Sequence, residues 1–154
     1  MATVQSVMKM RLVTATPETS AAEAAARMSE ENLGAVLVVE GGKLTGIFSE
    51  RDLVRRVVAL GLDPGQTPLA EVATMEPVAV PATMSIHDCA RTIRVQGFRH
   101  LPVVDAEGRP VGILSTRDFL QYVVDELEVL IDRSRQALER EHLTDPYELV
   151  GSGA

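Results

Sequence analysis

The sequence holds one cysteine, Cys89, no tryptophan, two tyrosines and three phenylalanines in 154 residues. A lone cysteine excludes an intramolecular disulfide and a cysteine-based zinc site, and it makes a reducing, cytoplasmic location the expectation. So few aromatic rings leave little on which nucleic-acid bases could stack. Basic residues number 15 against 22 acidic ones, and no long basic run exists, so a nucleic-acid partner has no electrostatic support. No apolar run approaches the ~18 residues that a bilayer span requires. Met1 to Met10 lacks the charged segment followed by a long apolar one that marks a secretory signal, so no membrane partner is expected either. No His-Glu-x-x-His and no Walker sequence appears. Gly41-Gly42-Lys43 is not a phosphate-binding loop, because the upstream glycine and the following Ser or Thr are missing. Catalysis of its own is therefore not expected.

Apolar residues make up 45% of the chain, enough for a packed core. The charge is uneven. Residues 1–124 carry 12 basic and 14 acidic side chains, whereas residues 125–148 carry 3 and 8. The body is close to neutral and the tail is acidic.

The chain repeats itself. Gly46-Ile47-Phe48-Ser49-Glu50-Arg51-Asp52 and Gly112-Ile113-Leu114-Ser115-Thr116-Arg117-Asp118 share five of seven residues at an offset of 66. Val38-Val39 answers Val103-Val104 at 65, and Ala26-Arg27 answers Ala90-Arg91 at 64. Two single-residue insertions account for the drift. A unit present twice suggests two halves that bury a common face, since a solenoid needs three or more.

Each unit reads as β-α-β-β-α. In the first, Leu12 to Ala15 is β-prone, and Thr19 or Ser20 caps a helix whose apolar face includes Ala22, Ala25, Ala26 and Met28. Gly34 is expected to stop it. Ala35 to Val39 has the length and apolarity of a buried strand, Gly41-Gly42 turns the chain, and Leu44 to Phe48 returns. Ser49 then caps a helix expected to bury Val54, Val57, Val58 and Leu60, with Asp52 at capping-box spacing. The second unit repeats this with a strand near Val78–Val80, a helix from Ser85 to Gln96, strands at His100–Val104 and Pro110–Leu114, and a helix from Ser115. Gly61 to Thr74 reads as a connector. The last helix meets no Gly or Pro until Thr144-Asp145-Pro146. Along it, Leu120, Val124, Leu127, Ile131, Ser134 and Leu138 follow an a/d spacing with one polar break. Cys89, among Ile86, Ala90 and Ile93, reads as a buried inert thiol. His87 and His142 lack companions at ligand spacing, so no metal site is expected.

A β-α-β-β-α unit occurring twice, with Gly-Ile-x-Ser-x-x-Asp opening each last helix and a Val-Val strand and turn before it, resembles the CBS domain, named after cystathionine β-synthase. The resemblance covers roughly Val7 to Val124. It implies an α+β fold of two repeats packed about a pseudo-twofold axis, here followed by a long C-terminal helix. The expected division is residues 7–62 and 77–124 for the two CBS domains, 63–76 for the connector, 125–142 for the helical extension and 143–154 for the tail. The tandem arrangement is what the family calls a Bateman module, and such modules commonly pair into a flat homodimer.

The motif has its own chemistry. A helix N-terminus offers free N–H groups to a phosphate. Ser49 and Ser115 add a hydroxyl there, Arg51 and Arg117 a cation, and Asp52 and Asp118 a carboxylate able to accept both ribose hydroxyls. Read without the resemblance, each Ser/Asp pair is a helix cap worth about 1 kcal/mol. An adenine ring needs an apolar slot with backbone hydrogen bonds, which the strand edges at Thr14-Ala15, Val36, Val78 and Leu101-Pro102 can provide. Arg99 and His100 are read as flanking the cleft mouth near phosphates. In CBS pairs the clefts between the units bind adenosine-containing ligands, which implies ribose at Asp52 and Asp118 and phosphate near Ser49 and Ser115. AMP, ADP or ATP is the expected ligand, with NAD or S-adenosylmethionine as further candidates. Pro102 matches the family where the first unit has Leu37, and Arg99-His100 stands where the first unit has Gly34-Ala35, so the second motif is expected to hold the tighter site. With no effector domain visible, output is expected to pass through the dimer or an unknown protein partner. The competing expectation is a ligand-free dimeric scaffold acting through its acidic C-terminal helix.

Overall fold

The computed structural model describes residues 2–143. Residues through Phe119 form one compact unit, and those from Leu120 onward a second. A 3-10 turn at Val4–Ser6 precedes β1 (Thr14–Ala15), α1 (Ala21–Glu31), β2 (Ala35–Glu40), β3 (Lys43–Ser49) and α2 (Glu50–Asp52). The last of these continues as a π-helix over Leu53–Val58. Then follow α3 (Leu69–Val72), β4 (Thr74–Met75), β5 (Val80–Pro81), α4 (Ile86–Gln96), β6 (His100–Val104), β7 (Pro110–Ser115) and α5 (Thr116–Leu143). The fold is α+β, two β-α-β-β-α repeats about a pseudo-twofold axis, with a long C-terminal helix.

The first sheet runs β1-β2-β3-β4 and the second β5-β6-β7. In both, the short first strand lies parallel to the next and a hairpin supplies the third. The Gly41-Gly42 turn has φ of 59° and 77°, the paired positive values that a tight hairpin favours. The second hairpin is held differently: Asp105 Oδ1 accepts from the backbone of Glu107 and Arg109. These contacts, the Arg109 backbone bond foremost, keep its carboxyl below the usual range.

Side-chain alternation divides β2 between two cores. Val36 and Val38 join Phe48, Val57 and Met28 beneath α1, while Ala35 and Leu37 meet Ile47 and Ile113 between the two repeats. The second repeat's own core gathers Val80, Cys89, Leu101, Val103 and Leu114. Burial raises the Cys89 thiol pKa, consistent with an inert packing residue.

Each repeat is completed by a segment that precedes the other one in sequence. Val4, wholly buried, packs into the second core. Its backbone N–H donates to Met84, and Lys9 bridges Ile113 on β7 by two backbone bonds. Leu69 and Val72 pack into the first core, and β4 pairs with β3, Thr74 opposite Ile47. The stretch expected to be a connector thus contributes a helix turn and a strand to the first sheet.

Several local expectations are corrected. On α1 the buried residues are Ala21, Ala24 and Met28, and Ala22 and Ala26 are exposed. A helix with alanine on every side does not announce its inner face. It ends at Asn32, in the left-handed region at φ 52°, which asparagine tolerates, and not at Gly34. After α2 only Val57 is buried, while Val54, Val58 and Leu60 are exposed. The i→i+5 winding takes more residues per turn, so an i, i+3, i+4 set no longer shares one face. The strand expected near Val78–Val80 is Val80–Pro81, and Val78 is exposed. His87 is exposed. The side chain of His142, the expected stop at Thr144-Asp145-Pro146 and the tail lie outside the described residues. Along α5, Leu120, Val124, Leu127, Ile131 and Leu138 are exposed, and Ser134 donates its hydroxyl to the Leu130 carbonyl.

Candidate functional site

Two clefts lie in the unit that contains both repeats. The larger, of about 720 Å³, draws on residues 9–13, on 32–35 at the foot of β2, and on 113–118 at the start of α5. The smaller, of about 340 Å³, draws on the equivalents: residues 74–78, 97–100 and 47–52. Both volumes fall in the usual range for small-molecule sites. Glu50, Arg99 and His100 line both.

At each helix start the cap is fully made. Ser49 Oγ accepts from the Asp52 backbone N–H, and Asp52 Oδ2 accepts from the Ser49 N–H at 3.0 Å and its hydroxyl at 3.1 Å. Ser115 and Asp118 repeat the arrangement at 3.2 and 2.6 Å, with Asp118 N–H donating to Ser115 Oγ. Both carboxylates therefore spend Oδ2 on the cap and keep Oδ1 for something else. Asp52 Oδ1 lies 3.5 Å from Arg56 Nε, and Asp118 Oδ1 lies 3.0 Å from Lys9 Nζ. Burial pushes the Asp118 carboxyl up, but the Ser115 and Lys9 hydrogen bonds outweigh it and hold the group below its ordinary value.

His100 sits at the wall shared by the clefts. Its ring is packed against Gly34: a Cβ built there would fall 2.8 Å from His100 Nε2. Burial lowers its pKa, opposed by Glu50 and Asp118 and reinforced by Arg99. The balance favours the neutral ring. The guanidinium groups of Arg51, Arg99 and Arg117 have no hydrogen-bond or ion-pair partner among the described residues. No cluster of His, Cys, Asp or Glu suited to a metal occurs among the described residues, and no helix there is long and apolar enough to cross a membrane.

Of the residues singled out from sequence, Ser49, Arg51, Asp52 and Val78 line the smaller cleft, Ser115, Arg117 and Asp118 the larger, and Arg99 and His100 both. Thr14, Val36 and Pro102 line neither. Val36 and Pro102 are buried, and the Thr14 carbonyl accepts from Arg27 Nη1 at 2.7 Å. For Thr14 and Val36 the reason is register. Val78 corresponds to Val13, one residue before Thr14, and alternation along β2 turns Leu37, not Val36, toward the cleft. Lys9, Arg11, Glu50 and Glu76 went unnoticed in the sequence. A signal for Lys9, Arg11 and Glu76 exists: Val7, Met10 and Val13 recur as Val72, Met75 and Val78 at an offset of 65, which extends the repeat upstream to the cleft-lining segments.

The CBS domain family matches residues 4–59 and 69–125. The CBS domain-containing protein YhcV of Bacillus subtilis (strain 168) is 37% identical over 118 residues, 77% of this chain and 83% of its own length. Among solved structures, CBSX2 in complex with AMP has a TM-score of 0.71 at 26% identity, over 80% of this chain and 97% of that one. PAE2072 of Pyrobaculum aerophilum complexed with AMP has a TM-score of 0.70 at 28% identity, over 76% and 89%. Two matched copies, each opening its last helix with the same capped Ser-x-x-Asp, make this chain a tandem member of the CBS-domain family.

Proposed function

We propose that the chain is a non-catalytic regulatory module that binds an adenosine-containing nucleotide (AMP, ADP or ATP) in the clefts between its repeats. The observation that carries this reading is the doubled site itself. Two clefts built from equivalent segments each combine a capped helix start, a carboxylate whose Oδ1 lies outside the cap against a single cation, and an arginine without a partner among the described residues. A carboxylate oxygen accepts ribose hydroxyls, and a free guanidinium with backbone N–H groups answers a phosphate. The AMP held by CBSX2 and by PAE2072 is the precedent for the ligand class. Signalling passes through a change in cleft conformation to a homodimer or a protein partner, in the cytoplasm. Calorimetric titration of the full chain with AMP, ADP, ATP, NAD and S-adenosylmethionine tests the binding, with mass spectrometry of any co-purified ligand. Absence of binding by all five, or unchanged affinity in the double variant Asp52→Asn/Asp118→Asn, would falsify it. Measurable ATP turnover that depends on either carboxylate overturns the non-catalytic part.

The exposed apolar stripe of α5 favours a second reading, a dimeric scaffold that acts through this helix. Contiguous exposed apolar surface of this kind marks an interface. Leu127→Asp with Ile131→Asp, followed by light scattering, tests it: a monomer supports the interface, and an unchanged dimer with unchanged melting temperature removes it.

A further inference from the structure

The equivalence of the clefts exposes an inversion of charge. Lys9 and Thr74 hold the same place, since they pair with Ile113 and Ile47 at matching points of β7 and β3. Two residues on, the larger cleft has Arg11 where the smaller has Glu76. At the helix starts, Thr116 stands opposite Glu50 in the same comparison. The outcome is four cations (Lys9, Arg11, Arg99 and Arg117) against two carboxylates in the larger cleft, and two cations against three carboxylates in the smaller.

Resting on the nucleotide reading above, we infer that the two clefts sort ligands by phosphate charge: the larger takes a nucleoside di- or triphosphate in preference to a monophosphate, and the smaller rejects the polyphosphates. Like charge facing a polyanion costs affinity, and a cationic wall raises it. Arg99 and Arg117 are free to receive a first phosphate. Among the described residues Arg11 is held only by Glu31 at the surface, with its side chain 73% exposed, and an exposed pair of this kind is readily exchanged for a phosphate. Volume agrees with charge, the larger cleft having about 720 Å³ to the smaller's 340 Å³.

The test is calorimetry on the full chain with AMP, ADP and ATP at one ionic strength, repeated on Arg11→Glu and on Glu76→Arg. Both side chains are exposed, so both variants are expected to fold. In the parent protein ATP binds one site at least about tenfold more tightly than AMP. Arg11→Glu brings that ratio to about one or below, and Glu76→Arg admits a second ATP. Equal or tighter binding of AMP in the parent, or an unchanged ratio in Arg11→Glu, overturns the sorting while the nucleotide reading stands. If none of the three nucleotides binds, both fall together.

Discussion

Asp52 and Asp118 occupy equivalent points of equivalent helix caps, yet each answers to a different cation. Asp52 meets Arg56, one turn along its own helix. Asp118 meets Lys9, more than a hundred residues away on the segment that pairs with β7. The first pair is local, four residues apart on one helix. The second exists only because residues 4–9 cross to the second repeat. A repeated motif therefore fixes the cap, while its surroundings are set by which segment the sheet edge recruits. The same division runs through the clefts: the helix starts carry matching Ser, Arg and Asp, and the lining segments opposite them differ in sign.

The crossing segments offer the strongest way to break this comparison. Leu69 and Val4 are both wholly buried, one in each core. Leu69→Ala should cost about 2–5 kcal/mol, and Val4→Ala somewhat less, because it removes fewer atoms. Urea denaturation measures both. If Val4→Ala were neutral, the N-terminal segment would not be completing the second repeat.

Binding should separate the carboxylates next. Asn preserves a helix-start hydrogen bond but not the charge, so Asp118→Asn should weaken nucleotide binding by about 1.5–3 kcal/mol. Asp52→Asn should weaken it less, because its cleft is smaller and acidic. Calorimetry that ranks the two in the opposite order reverses the assignment of the tighter site.

Gly34 and Arg99 occupy equivalent positions and should fail in different ways. Gly34→Ala pushes a methyl into the His100 ring and should cost about 1–3 kcal/mol of stability through overpacking. Arg99→Ala should leave the melting temperature nearly unchanged and weaken binding in both clefts, which it lines together. A stability loss from Arg99→Ala equal to that of Gly34→Ala would remove the contrast.

The smallest effect is in pH. Because the folded pKa of His100 lies below its ordinary value, the unfolded chain takes up the proton first as pH falls below ~6.5. Stability then declines until pH passes the lowered folded value, and levels off. His100→Gln should flatten that part of a stability–pH curve. The depressed Asp118 carboxyl acts at lower pH, its contribution present above its unfolded pKa and lost as pH falls through the folded one.

Much of this architecture could be read in the chain. The hairpins, the two Ser caps, the paired strands and the uninterrupted last helix all rest on local signals: positive-φ glycines, hydroxyl-to-carboxylate spacing, apolar runs, the lack of Gly and Pro. Where the signal was degenerate the reading failed. Alanines all round α1 left its inner face undecided. The valines after Asp52 suggested an α-helical face that a π-helix does not present. Thr14 and Val36 were one residue out of register with the cleft, and a slip of one turns every side chain of a strand to the opposite side.

The sequence by itself determined that there are two copies of one unit, that each opens a helix with a capped Ser-x-x-Asp, and that an arginine follows each serine by two residues. These are short-range facts, carried by residues within a few positions of one another. Only the tertiary structure decided that residues 4–10 complete the second repeat and residues 69–75 the first, that Arg11 and Glu76 therefore line the clefts, and that Glu50, Arg99 and His100 line both. Two nearly identical sheets offer nearly identical edges, and local propensity does not distinguish them. The choice falls to long-range packing of Val4 and Leu69 into separate cores, and that packing brings a cation to Asp118 and a carboxylate into the cleft of Asp52.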